Sequence, residues 1–212
     1  MKIVLIGASG YVGSALLKEA LTRGHEVTAA VSNPAKVARP AGVTAVGIDV
    51  LNTQALVEVL AGHEAVISAF SGHAQADIYG YYLDGLRSII SAVQAARVPR
   101  LLVVGGAGSL DVAPGVQLVD TPEFPAKWKP TAQGARDALK LLRQQASLDW
   151  TMLSPSALLE DTGRTGKFRL GADHLLADSE GKSHISVQDY AIAMVDELER
   201  PAHSRRRFTV GY

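Results

Sequence analysis

The chain has 212 residues, no cysteine, and 21 basic against 21 acidic side chains. That length suits one α/β domain, and the lack of cysteine excludes disulfides, thiolate zinc sites and a thiol nucleophile. A balanced charge gives no reason to expect nucleic acid or an anionic membrane as partner.

No apolar run approaches transmembrane length, and the first strand begins at Lys2, too early for a signal peptide, so a cytoplasmic location is expected. Lys2 to Ile6 is a short apolar run rich in β-branched residues. Gly7, Gly10 and Gly13 follow at a spacing of three, with Ser9, Tyr11 and Val12 among them, and Tyr11 to Arg23 reads as a helix. A strand, a glycine turn and a helix together form the arrangement that holds a dinucleotide pyrophosphate. Gly7 permits the tight turn, Gly10 lets backbone approach the phosphates, and Gly13 lets the helix lie close to the sheet. The N–H groups of the first helical turn then face the anion.

Gly24 ends the helix, and His25 reads as a surface residue of the turn. Glu26 to Val31 is a second strand, at whose end a ribose 2′ group would sit. No carboxylate stands there. Ser32 and Asn33 offer hydrogen bonds to a 2′-phosphate, and Lys36 and Arg39 follow, either within reach of it or on a solvated short helix. The expectation is NADP(H) in preference to NAD(H). A third strand, Val43 to Ile48, ends in Asp49-Val50, where Asp49 serves either the adenine amino group or the cap of the next helix, Asn52 to Leu60. Glu64 to Ala69 is a fourth strand; Ser68, Ala69 and Phe70 lie at its end, and the small residues leave room for a ribose.

Tyr79 to Arg97 is the longest helix, with Tyr82, Leu86, Ile89, Ile90 and Val93 on a core face. Leu101 to Val104 is a fifth strand, apolar enough to be buried on both faces. Gly105-Gly106-Ala107-Gly108-Ser109-Leu110 follows, a run whose backbone can approach a ligand. Ser109 reads either as a contact to the nicotinamide or acceptor, or as a cap or turn residue. Prolines at 114, 122, 125 and 130 make the next stretch a loop over the pocket. Trp128 reads as the anchor of that loop, with a stacking platform as the alternative. Gln133 to Gln145 is a helix, Asp149 to Ser154 a sixth strand, and Pro155 ends it. Residues 157–182 read as a small insertion covering the substrate side, with short strands at 168–171 and 175–177. Ser186 caps a helix over Val187 to Glu199. Phe208 to Tyr212 is a last strand, and Arg205 to Arg207 reads as a solvated edge.

With GASGYVG, GGAGSL, WTMLSP, RTGKFRLG, SHISVQDYAIAMVDELERP and RRRFTVGY, essentially the whole chain resembles the atypical short-chain dehydrogenases/reductases of the NAD(P)H–flavin reductase-like group, relatives of biliverdin-IXβ/flavin reductase. The resemblance implies one Rossmann domain with a doubly wound parallel sheet of order 3-2-1-4-5-6-7, NAD(P) binding, and reduction of flavins or quinones. Ser109 matches the family's active-site serine. The Tyr-x-x-x-Lys pair of ordinary short-chain enzymes, in which Lys lowers the Tyr pKa, is missing. Where it should fall the chain reads WKPTAQGARD, with Arg136 the nearest basic residue. Ser156 stands where biliverdin-reducing relatives carry His, and Ser32 where NADP-binding relatives often carry Arg.

The reading is therefore an NAD(P)H-dependent reductase, monomer or homodimer, passing hydride to a small planar flavin- or quinone-like acceptor. The alternative is a non-catalytic NAD(P)(H)-binding redox sensor. A nucleotide-sugar epimerase or dehydratase is disfavoured by the missing pair and by the lack of a long C-terminal substrate domain.

Overall fold

A computed structural model describes residues 1–212. The chain first alternates strand and helix: β1 (Lys2–Ile6), α1 (Tyr11–Thr22), β2 (Glu26–Val31), β3 (Val43–Gly47), α2 (Thr53–Leu60), β4 (Ala65–Ser68), α3 (Ile78–Ala95) and β5 (Arg100–Val104). A small hairpin, β6 (Asp111–Ala113) and β7 (Val116–Gln117), precedes α4 (Lys129–Arg143) and β8 (Asp149–Ser154). The last stretch adds β9 (Leu158–Glu160), β10 (Arg169–Gly171), β11 (His184–Ser186), α5 (Val187–Glu199) and β12 (Arg206–Gly211).

Eight strands form one sheet in the order β3-β2-β1-β4-β5-β8-β12-β10. The first seven in that order pair in parallel, which is the expected 3-2-1-4-5-6-7 arrangement. β10 adds an antiparallel eighth at the edge. β1 is apolar throughout Ile3 to Ile6 because both its faces are covered. The period-two alternation sorts its side chains. Ile3 and Leu5 join Leu16, Leu17, Tyr190 and Phe208 under α1 and α5, while Val4 and Ile6 join Leu56, Leu86, Leu139 and Trp150 under α2, α3 and α4.

Several local expectations change. His25 is buried, its ring held between the Met1 amino group (3.2 Å) and the Glu199 carboxylate (2.9 Å), because α5 lies beside α1. The cap of α2 is Asn52, whose side chain accepts from Ala55 N–H; Asp49 instead accepts from Leu51 N–H in the preceding turn. α4 begins at Lys129, with Pro130 in its first turn, where a missing N–H costs nothing. The proline-rich stretch is ordered as the β6–β7 hairpin and two single 3₁₀ turns, Leu118–Asp120 and Ala126–Trp128. Residues 175–177 form no strand; Asp111 and the 173–175 segment exchange backbone bonds (Asp111 N–H to Asp173 O, 2.8 Å; Leu175 N–H to Asp111 O, 3.0 Å). The insertion also joins the body through β9, paired with β11, and β10, paired with β12. Within the basic run Arg207 is buried, while Arg205 and Arg206 are exposed.

Candidate coenzyme and acceptor site

The residues singled out in the sequence gather at the carboxyl ends of neighbouring parallel strands. Gly7 to Gly13 follow β1, Ser32 and Asn33 follow β2, Asp49 and Val50 follow β3, Ser68 to Phe70 end β4, Gly105 and Gly106 follow β5, and Pro155 follows β8. That is the crevice at which open parallel sheets bind ligands.

The three glycines of the first turn differ in what they do. Gly7 has φ +81°, and a Cβ there would stand 2.6 Å from Ala69 O. At Gly13 a Cβ would stand 2.0 Å from Gly7 O. Both are fixed by the protein's own packing. Gly10 is exposed with an ordinary extended backbone (φ −79°, ψ 174°), and a Cβ there meets only Gly7 O at 3.4 Å. Nothing in the fold requires a glycine at that position; what it keeps clear is space outside the protein. Gly10 caps α1 without a side-chain hydrogen bond, and the N–H groups of Tyr11, Val12 and Gly13 have no acceptor within the protein. Free N–H groups at a positive helix end beside a cleared surface fit a pyrophosphate. The residues present thus suit a dinucleotide.

Farther along the crevice, Ser32, Asn33, Lys36 and Arg39 are all exposed. The Asn33 side chain accepts from Ala35 N–H and caps the 3₁₀ turn Pro34–Lys36. Val50 and Ser68, at the ends of β3 and β4, are buried, whereas Asp49 is exposed. Tyr81 was not singled out in the sequence, because its place in a core helix hides it. Its ring tilts against Phe70 at 5.4 Å, and burial followed by the charge of Asp49 raises its phenol. Asp49, Phe70 and Tyr81 thus lie near one another beside the ends of β3 and β4.

The glycine-rich run after β5 is also needed by the protein's own packing. A Cβ at Gly105 would meet Met152 and Ser154, one at Gly106 would stand 3.0 Å from Ala135 Cβ, and one at Gly108 would stand 2.6 Å from Ala132 Cβ. These glycines let the loop lie close on β8 and α4. Ser109 is buried, 1% exposed. Its hydroxyl and carbonyl accept from the Arg207 guanidinium at 3.2 and 3.4 Å. Pro155 is buried, and Ser156 donates to Val210 O at 2.9 Å.

No tyrosine here is prepared as a proton donor of the Tyr–Lys type. Tyr79 donates to Asp137 (2.7 Å), which raises its phenol, and burial pushes Tyr82 up to about 12. Arg136 is paired with Asp120. Trp128 is 48% exposed, which does not suit an anchor of its loop; His73 lies edge-on to it at 6.2 Å and the Lys127 ammonium 5.1 Å from its ring centroid.

On the opposite side the buried Asp189 carboxylate accepts from Thr165 N–H and hydroxyl, Gly166 N–H and the Tyr212 hydroxyl. Burial alone would raise this carboxyl; those hydrogen bonds outweigh it and hold it below the usual range. They fix the insertion's 165–167 turn to the start of α5.

Residues 7–201 match the NAD(P)H-binding family. The YwnB protein of Bacillus subtilis is 46% identical over 213 residues, covering 99% of this chain and 98% of that protein. A Bacteroides thetaiotaomicron structure proposed to be an epimerase is 46% identical with a TM-score of 0.93, covering 100% of this chain and 96% of the other. A Streptococcus pneumoniae structure proposed to be an NADH–flavin reductase is 36% identical with a TM-score of 0.88, covering 100% and 99%.

Proposed function

The chain belongs to the NAD(P)H-binding family, and from that premise we propose that it is a reductase passing hydride from a nicotinamide coenzyme to a small planar acceptor of the flavin or quinone class. The observation that carries this reading is the space cleared at Gly10 before three unpartnered N–H groups. Bound NAD(P)H supplies a hydride from its nicotinamide ring.

The chain's own residues do the holding. Ser9, Gly10 and the N–H groups of Tyr11, Val12 and Gly13 bind the pyrophosphate, and Gly7 sets the turn that aims them. Ser32 and Asn33, with Lys36 and Arg39, bind a ribose 2′-phosphate, favouring NADP(H). Asp49, Val50 and Phe70 receive the adenine end. Ser68 and Ala69 leave room for ribose, while Gly105, Gly106 and Pro155 wall the nicotinamide end. Ser109 supports that wall from beneath.

The missing Tyr–Lys pair favours this reaction over sugar epimerisation, although one similar structure is proposed to be an epimerase. Epimerisation and carbonyl reduction need a positioned acid. A flavin or quinone takes hydride into a conjugated ring and draws its proton from water, so orientation of two rings suffices. The same absence supports a second reading, a redox sensor that binds the coenzyme without turnover. The cytoplasm, where reduced nicotinamide coenzymes serve as reductant, is the compartment this reading implies.

The test is the loss of NADPH or NADH absorbance with FMN or menadione, beside a tryptophan-fluorescence titration. Acceptor-dependent oxidation above the blank, faster with NADPH, supports the reductase. Tight coenzyme binding without turnover refutes it and leaves the sensor.

A further inference from the structure

Arg207 lies near the start of β12, its side chain only 3% exposed. Its guanidinium donates through Nε to Asp173 Oδ1 (2.8 Å) and through Nη2 to the same oxygen, while Nη1 reaches the Ser109 hydroxyl and carbonyl. Ser109 ends the glycine-rich loop after β5; Asp173 belongs to the insertion. Immediately beyond these contacts, Asp111 and the 173–175 segment exchange the two backbone bonds described above. One buried cation therefore ties two segments that are remote in sequence, the glycine-rich loop after β5 and the insertion. Of its partners, only Asp173 carries the opposite charge.

We propose that Arg207 is a positioning residue: acting through Ser109 and Asp173, it fixes how the insertion seats on the glycine loop, and so the shape of the acceptor site. This rests on the reductase reading for its kinetic consequence, but not for its structural one. It also gives Ser109 a role without contact to the acceptor. The planar guanidinium fork matters, because a lysine ammonium reaches Asp173 or Ser109 but cannot hold both in fixed geometry.

The test uses Arg207→Lys, Ser109→Ala, Asp173→Asn and the Arg207→Lys/Ser109→Ala double variant. Asp173 is half exposed, which keeps Asp173→Asn foldable if the arginine variants fail. Hydrogen exchange is read first. The expected result is faster exchange in both 105–111 and 172–176 for Arg207→Lys and Asp173→Asn, with the core strands unchanged. Exchange unchanged in one of the two segments, or raised throughout the chain, overturns the proposal.

Kinetics with NADPH and menadione come second. Loss of alignment by about an ångström lowers menadione kcat/KM roughly ten- to hundred-fold, a larger loss than in NADPH affinity, because the pyrophosphate contacts at residues 9–13 are untouched. The double variant is no worse than Arg207→Lys, because both changes break the same link. Additive effects, or a coenzyme Kd that rises by as much as menadione kcat/KM falls, overturn it. If the wild type reduces no acceptor, the reductase reading falls while the exchange result still decides the latch.

Discussion

Replacing Gly10 by alanine separates a glycine kept for a ligand from one kept for the fold. The backbone at Gly10 (φ −79°, ψ 174°) accepts any residue, and the added methyl meets nothing nearer than Gly7 O at 3.4 Å. A Gly-to-Ala change at a compatible conformation stabilises by about 0.4–1 kcal/mol, mainly by restricting the unfolded chain. For a domain of this size that raises Tm by roughly 1–4 °C. The same methyl enters the surface before the N–H groups of Tyr11, Val12 and Gly13. A pyrophosphate pushed outward loses at least one charge-assisted hydrogen bond, about 1.5–3 kcal/mol or roughly ten- to hundred-fold in NADPH Kd. Gly13→Ala is the control: its methyl would lie 2.0 Å from Gly7 O, and such overpacking costs about 1–3 kcal/mol of stability before any ligand is added. Thermal unfolding and tryptophan-fluorescence titration measure both quantities on the same samples. Gly10→Ala binding NADPH like the wild type, or unfolding as early as Gly13→Ala, refutes the reasoning.

Three further outcomes are expected. Arg100→Met leaves the buried Glu197 carboxylate without its guanidinium (2.6 Å) and costs about 3–5 kcal/mol in urea unfolding; a loss under about 1 kcal/mol contradicts the account. Because the Asp189 carboxyl is held low in the folded state, its contribution to stability is complete above the unfolded carboxylate pKa near 4 and fades as pH falls through the lower folded value. Asp189→Asn should therefore flatten the acid limb of the stability profile, and an unchanged limb would show that the carboxylate contributes nothing. Reversing charge at Lys36 and Arg39 together should weaken NADPH roughly ten-fold more than NADH; equal weakening of the two, or none, removes both residues from the 2′-phosphate site.

The parts legible in the sequence are those whose cause is local. Lys2–Ile6, the GxxGxxG turn and the alternation of apolar strand with helix carry their own periodicity, so the elements and the strand–turn–helix unit follow from them, while the sheet order follows from the family resemblance. The parts that were not legible depend on neighbours distant along the chain. His25 looks like a turn residue until Glu199 meets it across α1 and α5. Arg207 looks like one of three surface arginines, yet its partner Ser109 is 98 positions away. The glycines at 105, 106 and 108 suggest a ligand, and the sequence does not show that Met152, Ala135 and Ala132 also press on them. Tyr81 gives no signal at all, since a helix pattern does not distinguish a core tyrosine from one at a crevice.

The most direct measurement of the central claim is a single-turnover reaction of NADPH, protonated or deuterated at nicotinamide C4, with bound acceptor. The account predicts acceptor reduction in step with NADPH oxidation, slower with the deuterated coenzyme. Coenzyme that binds and stays reduced in the presence of FMN and menadione would contradict it.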